Sequence, residues 1–467
     1  MDSETHSESA RPTDGRTGLL TARRTTPRQA LAAGGVGHML EWLDFGIYAY
    51  VAAILAKNFF PTSDPTTALL ASFATFGVGF AARPVGAVVF GRLGDVRGRR
   101  MVLLTTLTCM AVGTFGIAAL PTYESIGILA PILLVCCRLL QGFSAGGEAT
   151  TATAYLVEWA PAHRRGLYGS FLQIGSIAGF LGATLIVAAV STALGKSAMQ
   201  DWGWRLPFVV GGVLIVVGYV LRRRADETPE FTAAQDASRR EDSRPDASTV
   251  VPPTSGTAVT RIARAFALTA FWSVSFYFFL TYMPTYLSRE FGLESTAALW
   301  ITSAAMLCHV VLVPVAALMS DRFGRKPLLI AGCIGFILLP IPLFAGLSAD
   351  SPLFAVFAAV FLVGAVLALY GGAAPAALAE YFPVESRSTG MAIGYNLATV
   401  VFGGFTPFIA TWLIEATGQA LAPAYYVAVA AVGGLIFVAL QRETAPLRAG
   451  AAGPLVQPAP SQGGETR

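Results

Sequence analysis

Charge is scarce in this chain. Asp, Glu, Lys and Arg make up 13% of its 467 residues, while 54% are hydrophobic. A soluble domain carries about 25% charged residues, so water does not solvate most of this sequence. The five cysteines (Cys109, Cys136, Cys137, Cys308, Cys333) all lie in apolar runs without metal-ligand spacing, which argues for packing roles and against a metal site. Neither a glycine-rich phosphate loop nor a nucleophile–base set can be found. An enzyme is therefore not expected, no cofactor is called for, and any work must draw on an ion gradient. Residues 1–28 are polar and lack the apolar core of a cleavable signal peptide. The basic loops are short and pinned beside apolar runs, which disfavours nucleic acid as a partner.

Long apolar runs dominate what is present. With ~20 residues per crossing, twelve spans are expected, near 30–56, 68–91, 101–121, 127–151, 167–193, 206–221, 263–287, 296–319, 327–347, 353–376, 389–414 and 423–440. The expected fold is an all-α membrane protein. Of 32 Lys and Arg, 26 fall before the first span, in alternate loops or after the last one. That bias puts both termini in the cytoplasm of a multi-pass protein of the plasma (inner) membrane. The expected organisation is a disordered tail over 1–28, a six-helix bundle over 29–222 and a charged, proline-broken cytoplasmic linker over 223–260. A second six-helix bundle over 261–441 and a disordered tail over 442–467 complete it.

Gly37–Tyr48 organises the first span. At about 100° per residue, His38, Glu41, Asp44, Phe45 and Tyr48 share one face. A carboxylate inside a membrane-spanning helix costs several kcal/mol unless it faces protein, water or a cation. This stripe is expected to line a path for protons and a solute. Arg83 and Arg138 also fall inside spans. With ~1.5 Å rise per residue, Glu41 and Asp44 lie ~16 and ~21 Å above the start of the first span, level with those arginines.

A loop recurs. Asp95, Gly98, Arg99 and Arg100 are matched 226 residues later by Asp321, Gly324, Arg325 and Lys326, which implies two homologous halves. Gly98 permits a tight turn between antiparallel helices. Arg99 and Arg100 hold the loop at the membrane surface. Asp95 can accept hydrogen bonds from those arginines or from a helix N-terminus of the other half. Both loops are expected to act as gates.

The loop pattern and the two-times-six organisation resemble the major facilitator superfamily. Its metabolite:proton symporter branch is resembled by Glu41-Trp42-x-Asp44-Phe45, Arg83-Pro84-x-Gly86-x3-Phe90-Gly91, Arg138-x2-Gln141-Gly142-x3-Gly146-Gly147-Glu148, Trp202-Gly203-Trp204-Arg205-x-Pro207-Phe208 and Glu227-Thr228-Pro229. The match runs from about Gly35 to Arg442 and looks most like the 2-oxoglutarate permease type. The branch commonly has Asn at His38 and an aromatic at Leu43. The long coiled-coil tail of osmosensing proline/betaine members is not seen, which counts against osmosensing.

That resemblance implies proton-coupled uptake, by a monomer, of a small organic acid such as 2-oxoglutarate or a related di- or tricarboxylate through alternating access. Asp44, Glu41, His38 and Glu148 are the candidate proton-coupling residues, with permanent ion pairing to Arg83 and Arg138 as the alternative for the two on the first span. Substrate-binding candidates are Arg83, Arg138, Gln141, Arg205, Tyr277, Tyr282 and Tyr48; arginine suits a carboxylate because its planar fork makes two parallel hydrogen bonds. The rival reading is a proton symporter of a zwitterionic osmolyte, whose cation an aromatic cage in the seventh span could hold. A proton-antiport exporter is less favoured.

Overall fold

The computed structural model describes residues 27–97, 99–146, 165–223, 256–382 and 387–445. Gly98 and Glu148 lie outside the described residues, as do the side chains of Asp95, Arg99 and Arg100. Secondary structure is helical throughout the described residues. In the first half, α1 (Pro27–Phe59), α2 (Pro65–Ala81), α3 (Arg83–Arg97), α4 (Arg99–Ala119), the single turn α5 (Tyr123–Ile126), α6 (Leu129–Ala145), α7 (Arg165–Ala198) and α8 (Arg205–Arg223) make six crossings. The helices α2 and α3 form one of them, bent where Pro84 follows Arg83.

The second half comprises α9 (Gly256–Tyr277), α10 (Met283–Glu290), α11 (Ser295–Phe323), α12 (Arg325–Leu338), α13 (Pro340–Ala345), α14 (Leu353–Glu380), α15 (Arg387–Ala398), α16 (Thr406–Thr417) and α17 (Ala422–Leu440). The pairs α9/α10, α12/α13 and α15/α16 each form one crossing, giving six again. Ten of the twelve are long and apolar enough to span a membrane, and α6 and α8 are shorter apolar helices.

Several edges differ from the sequence expectation. Helix α1 begins at Pro27 and α9 at Gly256, inside segments expected to be a tail and a linker. Past α17 the chain stays in contact through Ala445, which is buried. The reason is local: Glu443 accepts from the Arg325 and Lys326 amides at 2.8 and 3.1 Å, capping α12. Lys326 Nζ in return donates to the carbonyls of Ala439 and Gln441.

Burial sorts the helices. Within Gly37–Phe59, 78% of the most apolar window is buried, and within Val259–Glu290, 83%; the other eight long spans show 39–50%. The first and seventh crossings are therefore central, and the rest turn a face to lipid. Between the halves α7 packs on α11, while α2 packs on α16 and the π turn Thr399–Gly404. These two contacts exchange under a swap of halves, as an internal repeat requires. Close approach depends on glycine most tightly between the second and fourth crossings. A Cβ on Gly86, Gly142 or Gly146 would strike the carbonyl of Phe143, Gly79 or Arg83 respectively. The second and fourth crossings thus touch backbone to backbone, which brings Arg83 and Arg138 to α1.

Candidate functional site

Helical spacing puts Glu41 and Asp44 on the inner side of α1, and each meets its own cation. Glu41 Oε1 accepts from Arg83 Nη2 at 2.5 Å, with both side chains buried. His38 Nδ1 lies 3.9 Å from Glu41 Oε2. On the ring's other side, Trp42 Nε1–H donates to His38 Nε2 at 2.9 Å, and Ser176 Oγ lies 2.9 Å from the same nitrogen. An indole can only donate, so Nε2 is the acceptor and the neutral ring carries its proton on Nδ1, toward Glu41.

Asp44 is held differently. Its Oδ1 accepts from Thr114 Oγ1 at 2.5 Å and Gln141 Nε2 at 2.8 Å. Arg138 Nη1 donates to Gln141 Oε1 at 2.9 Å and stands 3.8 Å from Asp44 Oδ2. Gln141 therefore bridges acid and base, and Oδ2 has no hydrogen-bond partner among the described residues. That oxygen can take a proton without breaking either bond to Oδ1. The Arg138 guanidinium rests on the Phe45 and Tyr48 rings at 4.5 and 4.4 Å, and Arg83 lies 5.0, 4.8 and 4.5 Å from the rings of Trp42, Phe45 and Phe80.

A pocket opens beside Trp42, between the halves. It is lined by Trp42 of α1, Gln173 and Ser176 of α7, Trp272, Ser273, Phe276 and Tyr277 of α9, and Tyr395 of α15. Three lining groups, Gln173 Nε2, Trp272 Nε1 and the Tyr277 hydroxyl, are buried without a hydrogen-bond partner among the described residues. Buried polar atoms are rarely left so, and these suit a ligand.

Of the substrate-binding candidates, Tyr277 alone lines this pocket. Tyr48 donates its hydroxyl to the Ser72 carbonyl at 3.1 Å, and Tyr282 stacks on Tyr286 with its hydroxyl 3.3 Å from Thr411. Arg138 and Gln141 are occupied with Asp44. Arg205 donates to the Leu120 carbonyl at 3.1 Å with its guanidinium 4.3 Å from the Trp204 ring, apart from the pocket. Gln173, Ser176, Ser273 and Tyr395 are lining residues that sequence reasoning missed. Only Gln173 carries a signal, being the one amide side chain in the apolar α7.

Hydrogen bonds join the halves on both faces. On one, the Asp321 carboxylate accepts from the Gly166 and Leu167 amides at the start of α7, at 2.8 and 3.1 Å, and from Arg325 at 2.7 Å. Arg325 also grips Glu380 at 3.2 Å, and Gly324 turns the chain at φ +103°. Asp321 thus contacts both the arginine of its own loop and a helix N-terminus of the other half, the two alternatives that the sequence offers for its counterpart Asp95. On the opposite face Arg289 donates to Thr66 Oγ1 at 3.2 Å. Nearby, the Thr67 hydroxyl and the Thr66 and Thr67 amides hold the Asp64 carboxyl below its ordinary range. Deeper in, the Tyr50 hydroxyl donates to the Leu280 carbonyl. Pro284, four residues on, has no amide hydrogen to occupy that carbonyl, and a π turn spans Phe278–Tyr282.

Comparison with known proteins follows the same lines. A family model described as "Sugar (and other) transporter" matches residues 31–251, and one described as "Major Facilitator Superfamily" matches 265–460. The chain is 38% identical over 421 residues to the proline/betaine transporter of Escherichia coli K12, covering 90% of this chain and 84% of that one. It is equally similar, over 426 residues and with the same coverage, to the glycine betaine/proline/ectoine/pipecolic acid transporter OusA of Dickeya dadantii. Among solved structures, a D-xylose-proton symporter superposes with a TM-score of 0.69 over 89% of this chain and 97% of that one, at 19% identity. The partially occluded, inward-open xylose transporter XylE of E. coli gives 0.70 at 17% identity, with the same coverage. These relatives correct the expected likeness to 2-oxoglutarate permeases. They are transporters, not enzymes. The chain belongs to the major facilitator superfamily of secondary, multi-pass membrane transporters, in the family that includes the proline/betaine transporters.

Proposed function

We propose that this protein takes up a small zwitterion of the betaine or proline type together with protons, by alternating access of its two six-helix halves in the plasma (inner) membrane. The pocket between the halves carries the reading. Five aromatic side chains, Trp42, Trp272, Phe276, Tyr277 and Tyr395, surround it, and ring faces attract a quaternary or secondary ammonium. The unpartnered donors Gln173, Trp272 and Tyr277 suit the carboxylate of the same solute. A dicarboxylate would need an arginine in the lining, whereas Arg83 and Arg138 lie outside it, against Glu41 and the Asp44–Gln141 pair. Glu41, Asp44 and His38 carry the proton side of the cycle, with Asp44 favoured because Oδ2 has room for the proton. The first-half loop, Asp95 to Arg100, is assigned the gating role of its copy, as the repeat in sequence suggests.

Uptake of labelled glycine betaine and proline into proteoliposomes, with an imposed pH gradient, tests this. Uptake is expected to rise with external acidity and to be inhibited by unlabelled betaine but not by 2-oxoglutarate. Accumulation of 2-oxoglutarate untouched by betaine would return the organic-acid reading. Indifference to the pH gradient would end proton symport.

A further inference from the structure

We propose that His38 couples pocket occupancy to proton binding, through a hydrogen-bond exchange with Trp42 and Ser176; this rests on the zwitterion reading of the same pocket. His38 itself is not among the pocket-lining residues, yet both partners of its Nε2 are. While Trp42 Nε1–H donates to Nε2, that nitrogen cannot hold a proton. A solute carboxylate in the pocket offers the indole N–H a stronger, charged acceptor. Once Trp42 turns to it, the Nε2 lone pair is released and takes a proton from water.

Ser176 completes the exchange. Its hydroxyl has a second acceptor, the Leu172 carbonyl at 3.2 Å. With its own hydrogen there, Ser176 Oγ accepts from the new Nε2–H of the imidazolium. One proton has been gained, Nε2–H and the Ser176 hydroxyl each have an acceptor, and the cation stands beside Glu41, with Nδ1 3.9 Å from its Oε2. His38 stands beside Glu41 on its own helix, and Glu41 is paired with Arg83 from α3. The titratable groups lining the pocket with Trp42 and Ser176 are Tyr277 and Tyr395. Tyr219 of α8 packs with Leu40, in a separate cluster. By linkage, solute favours the proton and the proton favours solute to the same degree.

The test is the pH dependence of glycine betaine binding by the purified full chain, read by scintillation proximity between pH 5.5 and 8. For the unaltered protein Kd should fall as pH falls, on the order of tenfold per unit within the titrating range if one proton is linked. His38→Asn, which keeps an acceptor for Trp42 but does not titrate, should bind with a shallower profile, because the proton linked through His38 is lost while Asp44 still titrates. Trp42→Phe keeps a ring and deletes the donor, so Nε2 is open with or without solute and the profile should flatten. A merely structural His38 would leave both profiles where they started. An unchanged slope in His38→Asn overturns the proposal and leaves the zwitterion reading intact. Binding by the unaltered protein that ignores pH overturns it as well, and the absence of any betaine binding overturns the reading beneath it.

Discussion

At the scale of single residues, the two carboxylates of α1 are answered in ways that separate their roles. Glu41 is in direct contact with Arg83, so Arg83→Ala leaves a buried anion without its 2.5 Å partner. Breaking one side of such a pair costs about 3–5 kcal/mol. A marked drop in melting temperature in detergent is expected, and Glu41→Gln in the same protein should restore part of it. Asp44 makes its hydrogen bonds through Oδ1 alone. Asp44→Asn can keep both acceptor bonds while losing the charge, so it should fold and still exchange solute across the membrane. What it should lose is accumulation against a gradient, most of it if Asp44 carries the proton. Equal accumulation by Asp44→Asn in a side-by-side uptake assay would remove Asp44 from the proton path.

At the scale of elements, the Asp321 contact ties the start of α7 to the α11–α12 turn. A carboxylate at a helix N-terminus is stabilising by roughly 0.3–1 kcal/mol, and up to about 2 when partly buried, and the Arg325 pair adds to this. Asp321→Asn should therefore loosen that face by a few-fold to tens-fold in the open-to-closed ratio. A cysteine placed at Gln173, in a background without the five native cysteines, would report it through faster labelling by a thiol reagent applied from the Asp321 side. An unchanged labelling rate would show that this contact does not limit access.

Elements are also where the sequence is most and least legible. Twelve apolar runs and a recurring loop are local patterns, and the helices follow them because lipid leaves the backbone no other partner. Glu41, Asp44, Arg83 and Arg138 stand out because a charge in a span is costly wherever it points. The pocket is not legible. Its walls are serines, a glutamine and ordinary aromatics, and whether these face lipid, protein or a central space depends on the rotation of α7, α9 and α15 against each other. Arg205 and Tyr282 mislead for the same reason: their chemistry suits a solute, but packing gives them neighbours elsewhere.

For the whole molecule, the charge of the solute fixes the electrical character of transport. A zwitterion entering with one proton moves one positive charge inward. An inside-negative potential then contributes about 2.3 kcal/mol per 100 mV, and each pH unit about 1.4. A potassium diffusion potential, negative inside, should accelerate betaine uptake into proteoliposomes at equal pH on both sides. Electroneutral uptake would require a counter-ion or an anionic solute, and would contradict symport of a zwitterion with a proton.

Among the described residues, Phe45 alone lies under both guanidinium groups, 4.8 Å from Arg83 and 4.5 Å from Arg138. The attraction its quadrupole offers is divided between two cations that belong to different acids. Neutralising Asp44 changes how strongly Arg138 leans on this ring, and Arg83 feels the difference through it. Phe45 is thus a point of crosstalk, where the state of one acid becomes audible to the other without any proton passing between them. Phe45→Leu, which silences the quadrupole while keeping an apolar side chain, should make the effects of Asp44→Asn and Glu41→Gln on binding additive in a thermodynamic cycle.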